Sequence, residues 1–209
     1  MIRDKLKIAV KTYNKIAKIY SKFTFHKVYQ YPLNKFISMI PKKAKVLDAG
    51  CGSGRDAQYF KEYGFEVTAI DAAEKMVEEA KKNVKGVKFK KMDMMKTDFK
   101  DKTFEGVWAA ASLLNNEKKN IPKILAELKR ILNDEGVLYI SVKEGGGEEI
   151  RKVEKYNNEP IPFFYYTLPE MEELVKGAGF QILHSGFSDD AMKRKDTKWI
   201  DIYCKKTTS

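Results

Sequence analysis

Cysteine is nearly absent. Cys51 and Cys204 are the two thiols in 209 residues, too few for a disulfide framework and without the spacing of a metal site. Histidine is equally scarce, with His26 and His184 the whole complement. No His/Cys/acid cluster suggests a metal, so the expected metal content is none. No stretch approaches the ~20 consecutive apolar residues of a membrane helix. The first residues alternate charged and apolar types and lack the apolar run of a signal peptide. These absences lead to the expectation of a cytoplasmic protein with reduced thiols and no membrane partner. There is no internal repeat, and no linker long enough to set residues 1–43 apart. The chain therefore reads as one domain, 1–209, large enough for a full core.

Charge is what the sequence has in excess. The composition is 43% hydrophobic and 33% charged, with 40 Lys+Arg against 29 Asp+Glu and a net charge of +11. That balance suits a folded, globular chain. A basic chain invites a nucleic-acid reading. Here the lysines are spread through every segment, with no Arg-rich tract and no aromatic-basic interleaving. The pattern fits solvated faces better than a nucleic-acid footprint.

The chain is organised around Val46-Leu47-Asp48-Ala49-Gly50-Cys51-Gly52-Ser53-Gly54-Arg55-Asp56. An apolar run over Ala44–Ala49 predicts a buried strand. Ala57, Phe60, Tyr63 and Phe65 then begin a helical spacing. A strand, a glycine turn and a helix make a cradle for a nucleotide cofactor. Glycine lets a ligand approach the main chain, and the helix start points free N–H groups at it. The dinucleotide fingerprint is G-x-G-x-x-G, whereas this turn is G-x-G-x-G preceded by Asp48.

Before the cradle, Leu6, Ala9, Val10, Tyr13, Ile16, Ala17, Tyr20 and Phe23 recur at steps of three and four, predicting an amphipathic helix over 1–23. It reads either as packing on the domain or as a lid with Tyr13 and Tyr20 facing inward. A second helix is predicted from Pro32 to Ile40. After the cradle, strand and helix alternate. The predicted strands are 65–71, 87–91, 104–111 and 137–142, and the helices are 74–84 and 121–132. Such alternation implies a parallel sheet covered on both faces. Asp71 ends the second strand. It reads as an acceptor of both ribose hydroxyls or as a helix N-cap. As a strand-end acid it is expected to be solvated, and its loss tolerated by the fold. Gly145–Gly147 break the alternation, and residues 145–168 read as a loop carrying Phe163-Phe164-Tyr165-Tyr166. A short helix at 170–176 and strands at 180–184 and 199–204 finish the chain. The segment 188–198 is too short for a crossover helix, so these last two strands are expected to pair antiparallel.

Taken together, the Asp48–Gly54 turn, Asp71, Asp93 after the third strand and the small-residue end of the fourth strand at Ala111 resemble the class I S-adenosylmethionine-dependent methyltransferases. The likeness covers essentially the whole chain. It is nearest to small prokaryotic proteins of the methyltransferase domain 11/25 type, and Tyr13–Tyr20 matches their Y-x-x-x-A-x-x-Y lead-in. The resemblance implies an α/β, Rossmann-like sandwich with a mostly parallel seven-stranded sheet, an antiparallel C-terminal strand, helices on both faces and an N-terminal helical lid. Within it, 1–43 would be the cap, 44–143 the cofactor core, 144–168 a lid or acceptor loop, and 169–209 the C-terminal helix and strand pair.

The resemblance also implies roles. The donor would be S-adenosyl-L-methionine and its product S-adenosyl-L-homocysteine. Tyr13, Tyr20, Asp48, Gly50, Gly52, Arg55, Asp71, Ala72, Met76, Asp93, Met94 and Ala110 would bind it. Gly50 and Gly52 would face its methionine moiety and Arg55 its carboxylate. Asp71 would hold the ribose, Ala72 and Met76 would flank the adenine, and Asp93 and Met94 would read the adenine edge. Tyr20, His26, Asn115, Glu144, Tyr165 and Tyr166 would line the acceptor site. Asn115 departs from the pattern, where a histidine is more usual. A sulfonium methyl is already activated, so positioning can supply much of the rate. No residue is marked as a catalytic base; His26, Glu144, Tyr165 and Tyr166 are candidates.

The expected partner is a small-molecule acceptor methylated on N, O or S, with the protein a monomer or homodimer. Rival readings are an RNA methyltransferase, a non-catalytic S-adenosylmethionine-binding protein and a nicotinamide-dependent oxidoreductase. The first would carry an RNA-binding module or an N-P-P-Y-type motif, and neither is present in the sequence. The last would want G-x-x-G spacing after the first glycine pair.

Overall fold

The computed structural model describes residues 4–190 and 197–207. Its centre is a seven-stranded sheet in the order β3-β2-β1-β4-β5-β9-β8. The strands are β1 (Lys45–Ala49), β2 (Glu66–Asp71), β3 (Lys88–Lys91), β4 (Phe104–Ala110), β5 (Leu132–Lys143), β8 (Phe180–Asp189) and β9 (Lys198–Lys206). The first five pair parallel, whereas β9 is antiparallel to both β5 and β8. This is the expected Rossmann-like class I arrangement.

The helices are α1 (Asp4–Thr24), α2 (Gln30–Ser38), α3 (Arg55–Glu62), α4 (Glu74–Asn83), α5 (Ile121–Ile131) and α6 (Leu168–Gly177). Side chains alternate across each strand, so the sheet supports two cores. On one face Leu138, Ile140 and Val142 of β5 pack with Leu125 and Leu128 of α5 and Val175 of α6. On the other, Val46, Val67, Ala69 and Trp108 pack with Phe36 of α2, Phe60 of α3 and Val77 of α4. Local signals set the ends. Gly54 precedes α3 at φ 87°, and Thr167 and Glu170 form a capping box at the start of α6. The helix α1 lies against α4 and β7.

Two expectations need correction. Residues 145–168 are not an irregular loop. Glu148–Lys152 (β6) and Pro160–Phe164 (β7) pair antiparallel as a separate hairpin. Pro160 and Pro162 lie within β7, since on a two-stranded ribbon prolines can occupy positions that donate no hydrogen bond to the partner strand. Likewise the strand expected over 137–142 is longer: β5 begins at Leu132, with a register shift against β4 between Phe104 and Gly106. Residues 1–3 of the expected first helix, and 191–196 of the 188–198 connection, lie outside the described residues. Among the described residues no helix is long and apolar enough to cross a membrane.

Candidate functional site

The parallel strands end together, and the turns that follow open a crevice there. Two adjoining cavities occupy it. The larger, about 560 Å³, is lined by Tyr13, Tyr20, Asp48, Gly50, Gly52, Arg55, Trp108, Ala110, Tyr139, Ser141, Lys143 and Asp201, among others. The smaller, about 80 Å³, is lined by Tyr13, Tyr20, Gly50, Gly52, Asp71, Ala72, Met76, Met94 and Asn115. The glycine turn and the inner face of α1 are common to both.

The turn is built on left-handed backbone, with Gly50 at φ 89° and Gly52 at φ 53°. A Cβ at Gly50 would lie 2.3 Å from the Cβ of Ser112, so that position tolerates no side chain. A Cβ at Gly52 would face the ring of Tyr20 at 3.7 Å, across the space the cavities share. Asp71 fastens this turn to the next one. Its Oδ2 accepts from the Gly52 N–H at 2.9 Å and its Oδ1 from the Ala73 N–H at 2.8 Å. Burial raises its pKa, against the pull of these two N–H groups. The acid is therefore a strut between strand ends, and it is not freely solvated.

Asp48 is 3% exposed, and its Oδ2 is buried without a partner. Burial, and then the charge of Asp56, push its pKa well up. Asp56 behaves oppositely. Burial would raise it, but Arg55 and Trp108 outweigh burial and hold it below the usual carboxylate range. Arg55 donates through Nε at 2.6 Å to Oδ1 and through Nη2 at 3.0 Å to Oδ2 of Asp56, and Trp108 Nε1 donates at 3.0 Å to Oδ2. Behind this group Trp108 and Tyr139 stack at 3.8 Å, and Tyr139 donates to Asp201 Oδ1 at 2.9 Å. The orphaned Asp48 oxygen, the two left-handed glycines and the N-terminus of α3 fit the amino-acid end of S-adenosylmethionine.

The expected donor residues fall close together. Tyr13, Tyr20, Asp48, Gly50, Gly52, Arg55 and Ala110 line the larger cavity. Asp71, Ala72, Met76 and Met94 line the smaller one. Asp93 stands slightly apart. It accepts from the Met95 N–H at 2.9 Å, as a turn residue does, and lines an outer groove beside Ala72. Arg55 is already committed to Asp56, so only part of its guanidinium is free for a ligand.

The acceptor expectations fare less well. Asn115 is in place, but as a tie: its Oδ1 accepts from the Tyr13 hydroxyl at 3.3 Å and its Nδ2 donates to the Pro162 carbonyl at 2.8 Å. His26 is exposed and packs on Phe25, outside both cavities. The chain turns after α1, and Tyr29 reaches the cavity instead. Glu144 is exposed, while Lys143 points inward, because neighbours on a strand face opposite ways. Tyr165 bonds to Glu149 and Arg151 on the hairpin. Tyr166 is wholly buried in the core under α5 and α6. From this segment Ile161 and Phe163 line the cavity.

Sequence reasoning missed Trp108, Tyr139, Ser141, Lys143 and Asp201. A signal was available. Tyr139, Ser141 and Lys143 alternate with apolar Leu138, Ile140 and Val142 in a strand that the topology buries on both faces. Polar groups on one face of such a strand mark a cavity.

Comparisons agree with the geometry. A family model described as a methyltransferase domain matches residues 46–136. The chain is 30% identical over 188 residues to the malonyl-[acyl-carrier protein] O-methyltransferase of Salmonella typhimurium, covering 76% of this chain and 74% of that one. It is 26% identical over 185 residues to the protein of the same name from Erwinia pyrifoliae, covering 75% and 70%. Among solved structures, the Burkholderia thailandensis 1,6-didemethyltoxoflavin-N1-methyltransferase, with bound 1,6-didemethyltoxoflavin and S-adenosylhomocysteine, superposes with a TM-score of 0.73. It shares 24% identity, over 95% of this chain and 85% of that one.

Proposed function

As the chain belongs to the class I S-adenosylmethionine-dependent methyltransferases, we propose that it methylates a small molecule held in the larger cavity. Its donor is S-adenosylmethionine, which supplies a sulfonium methyl already activated for displacement. What remains for the protein is to bind, orient and exclude water.

The residues divide this work. Gly50 and Gly52 give the donor's amino-acid end access to the backbone, and Asp48 Oδ2 offers its ammonium an acceptor. Asp71 holds the ribose while keeping the glycine turn in shape. Ala72 and Met76 would flank the adenine, with Asp93 and Met94 at its edge. Ala110, small and at the carboxyl end of β4, would lie near the sulfonium and leave room beside it. Tyr13 and Tyr20 close the site from α1.

The observation that carries a small acceptor is the built-in roof. The helix α1 and the β6–β7 hairpin are pinned together across the site: Thr12 donates to the Pro160 carbonyl at 2.6 Å, and Asn115 joins Tyr13 to Pro162. Such a cover suits a small molecule and obstructs a polymer. The relatives named above are a malonyl-[acyl-carrier protein] O-methyltransferase and a 1,6-didemethyltoxoflavin-N1-methyltransferase, and neither name is that of a nucleic-acid enzyme.

Calorimetry with S-adenosylmethionine, S-adenosylhomocysteine, NAD and NADP is the first test, and the first two should bind alone. Labelled donor is then offered to a metabolite pool and to total cellular RNA. Labelled metabolite is expected. Stoichiometric labelling of one RNA with no labelled metabolite would overturn the small-molecule reading.

A further inference from the structure

The acceptor half of the larger cavity has an electrostatic character that the donor half does not explain. Ala110 of β4 is in register with Ser141 of β5, and Ser141 with Asp201 of β9. All three line the cavity. Residues in register on neighbouring strands share a face, and strands are about 4.8 Å apart, so Asp201 stands about 10 Å from Ala110 along one straight row. Ser141 between them is small, and its Oγ is turned to the Ala111 N–H at 3.1 Å. Only one small side chain therefore lies between Ala110 and Asp201 along the row.

Its far end is a carboxylate. Asp201 is 7% exposed and is fixed by the Tyr139 hydroxyl on Oδ1. Tyr139 is in turn fixed by its stack on Trp108. Tyr29, Trp199, Asp189 and Asp190 complete this end of the cavity. Trp199 Nε1 donates to Asp190 Oδ1 at 2.9 Å. Aromatic faces beside carboxylates form a setting for a cation or a polarised N–H group.

The cavity lining also includes Arg55, Lys143, Arg151, Lys152 and Lys155, the last three on the β6–β7 hairpin, and Arg151 is paired with Glu149. Lys35 lies 4.8 Å over the Tyr203 ring and Lys143 lies 3.7 Å over the Phe163 ring, toward the hairpin. His184 lies beside Tyr203, on the strand outside β9. Arg55 is paired with Asp56. Neither Lys35 nor His184 lines the cavity.

Building on the methyltransferase reading, we propose that the acceptor is a small nitrogenous molecule whose ammonium or N–H end is anchored by Asp201, about 10 Å along the row from Ala110, where the methylated atom lies. Asp201 is then a specificity residue: it orients the acceptor, and the reacting atom lies at the other end. An acceptor with a carboxylate at that end is rejected, because it would meet Asp201 in a site shielded from water. In this the chain departs from relatives that methylate a malonyl group.

The test uses isosteric pairs on the whole protein saturated with S-adenosylhomocysteine. Tryptamine, tyramine and histamine are titrated against indole-3-acetate, 4-hydroxyphenylacetate and imidazole-4-acetate. At least one amine should bind tenfold or more tighter than its acid partner. Asp201→Asn should lose that preference while keeping its affinity for S-adenosylhomocysteine within about twofold, and Asp201→Glu should retain part of the preference. Equal or tighter binding of the acids, binding of neither series, or an unchanged preference in a folded Asp201→Asn would overturn the assignment. The wild-type comparison decides the matter even where the Asn variant does not fold. Failure to bind S-adenosylhomocysteine would overturn the donor site itself, and with it this proposal.

Discussion

Asp71 and Gly52 are joined by a 2.9 Å hydrogen bond from the glycine N–H to the carboxylate, 19 residues apart in sequence. The same carboxylate takes the Ala73 N–H. One side chain thus fixes the phosphate-free nucleoside cradle from both sides. Asp71→Ala should weaken S-adenosylmethionine binding about ten- to a hundredfold, since hydrogen bonds to charged groups are worth about 1.5–3 kcal/mol each. It should also lower stability by about 1–3 kcal/mol, because two N–H groups lose their acceptor. Urea denaturation beside calorimetry separates the two effects. An unchanged dissociation constant in a destabilised variant would leave Asp71 a strut only.

The two glycines of the turn should fail differently. Gly50→Ala meets the Ser112 Cβ at 2.3 Å and should destabilise the fold markedly. At Gly52 an added Cβ meets nothing closer than the Tyr20 ring at 3.7 Å, so Gly52→Val projects its side chain into the cavity. It should lose donor binding with a smaller loss of stability, about 1–3 kcal/mol from holding a branched residue in left-handed backbone. If Gly52→Val binds donor normally, the turn is not the cradle.

Asn115 is the knot of the roof. Asn115→Ala removes the acceptor for Tyr13 and the donor to Pro162 together. Amide exchange should quicken in α1 and in the β6–β7 hairpin, with little change in β1 or β4. Tyr13→Phe removes one of the two bonds and should show the smaller effect. Uniformly faster exchange across the sheet would mean that Asn115 supports the core and not the roof.

One acid-sensitive pair lies remote from the site. Arg130 holds Glu127 at a pKa of about 2, and Thr97 donates to the same carboxylate at 2.6 Å. The folded value lies below the ordinary 4.5, so this stabilisation is fully present above about pH 4.5 and is lost as pH falls toward 2. Glu127→Gln should therefore melt lower than the wild type at neutral pH, and the gap should close between pH 4.5 and 2. A domain of this size shifts by about 2–4 °C per kcal/mol. A gap that persists at pH 2 would point to lost packing as the cause.

The sequence by itself determined the alternation of strand and helix, the parallel sheet with its closing antiparallel strand pair, and the gathering of the expected donor residues at one edge of that sheet. Those rest on local signals. The glycine turn, the strand-end acid and the periodic apolar stripes are each contained within a few neighbouring residues, and a β-x-glycine-α segment has few ways to fold. Asp48, Gly50, Gly52, Asp71 and Ala110 lie at strand ends, and in a parallel sheet strand ends meet at one edge whatever the loops do. Only the tertiary structure decided the acceptor half. Asp201 reaches the cavity because β9 runs antiparallel beside β5 in a register that sets it against Ser141. His26, Glu144 and Tyr166 miss the cavity because a turn, a strand alternation and a buried core position carry them away from it. Side-chain direction on a strand reverses at every residue, so one step of register exchanges a cavity wall for the opposite face. That choice is made by the packing of distant segments, which no local pattern encodes.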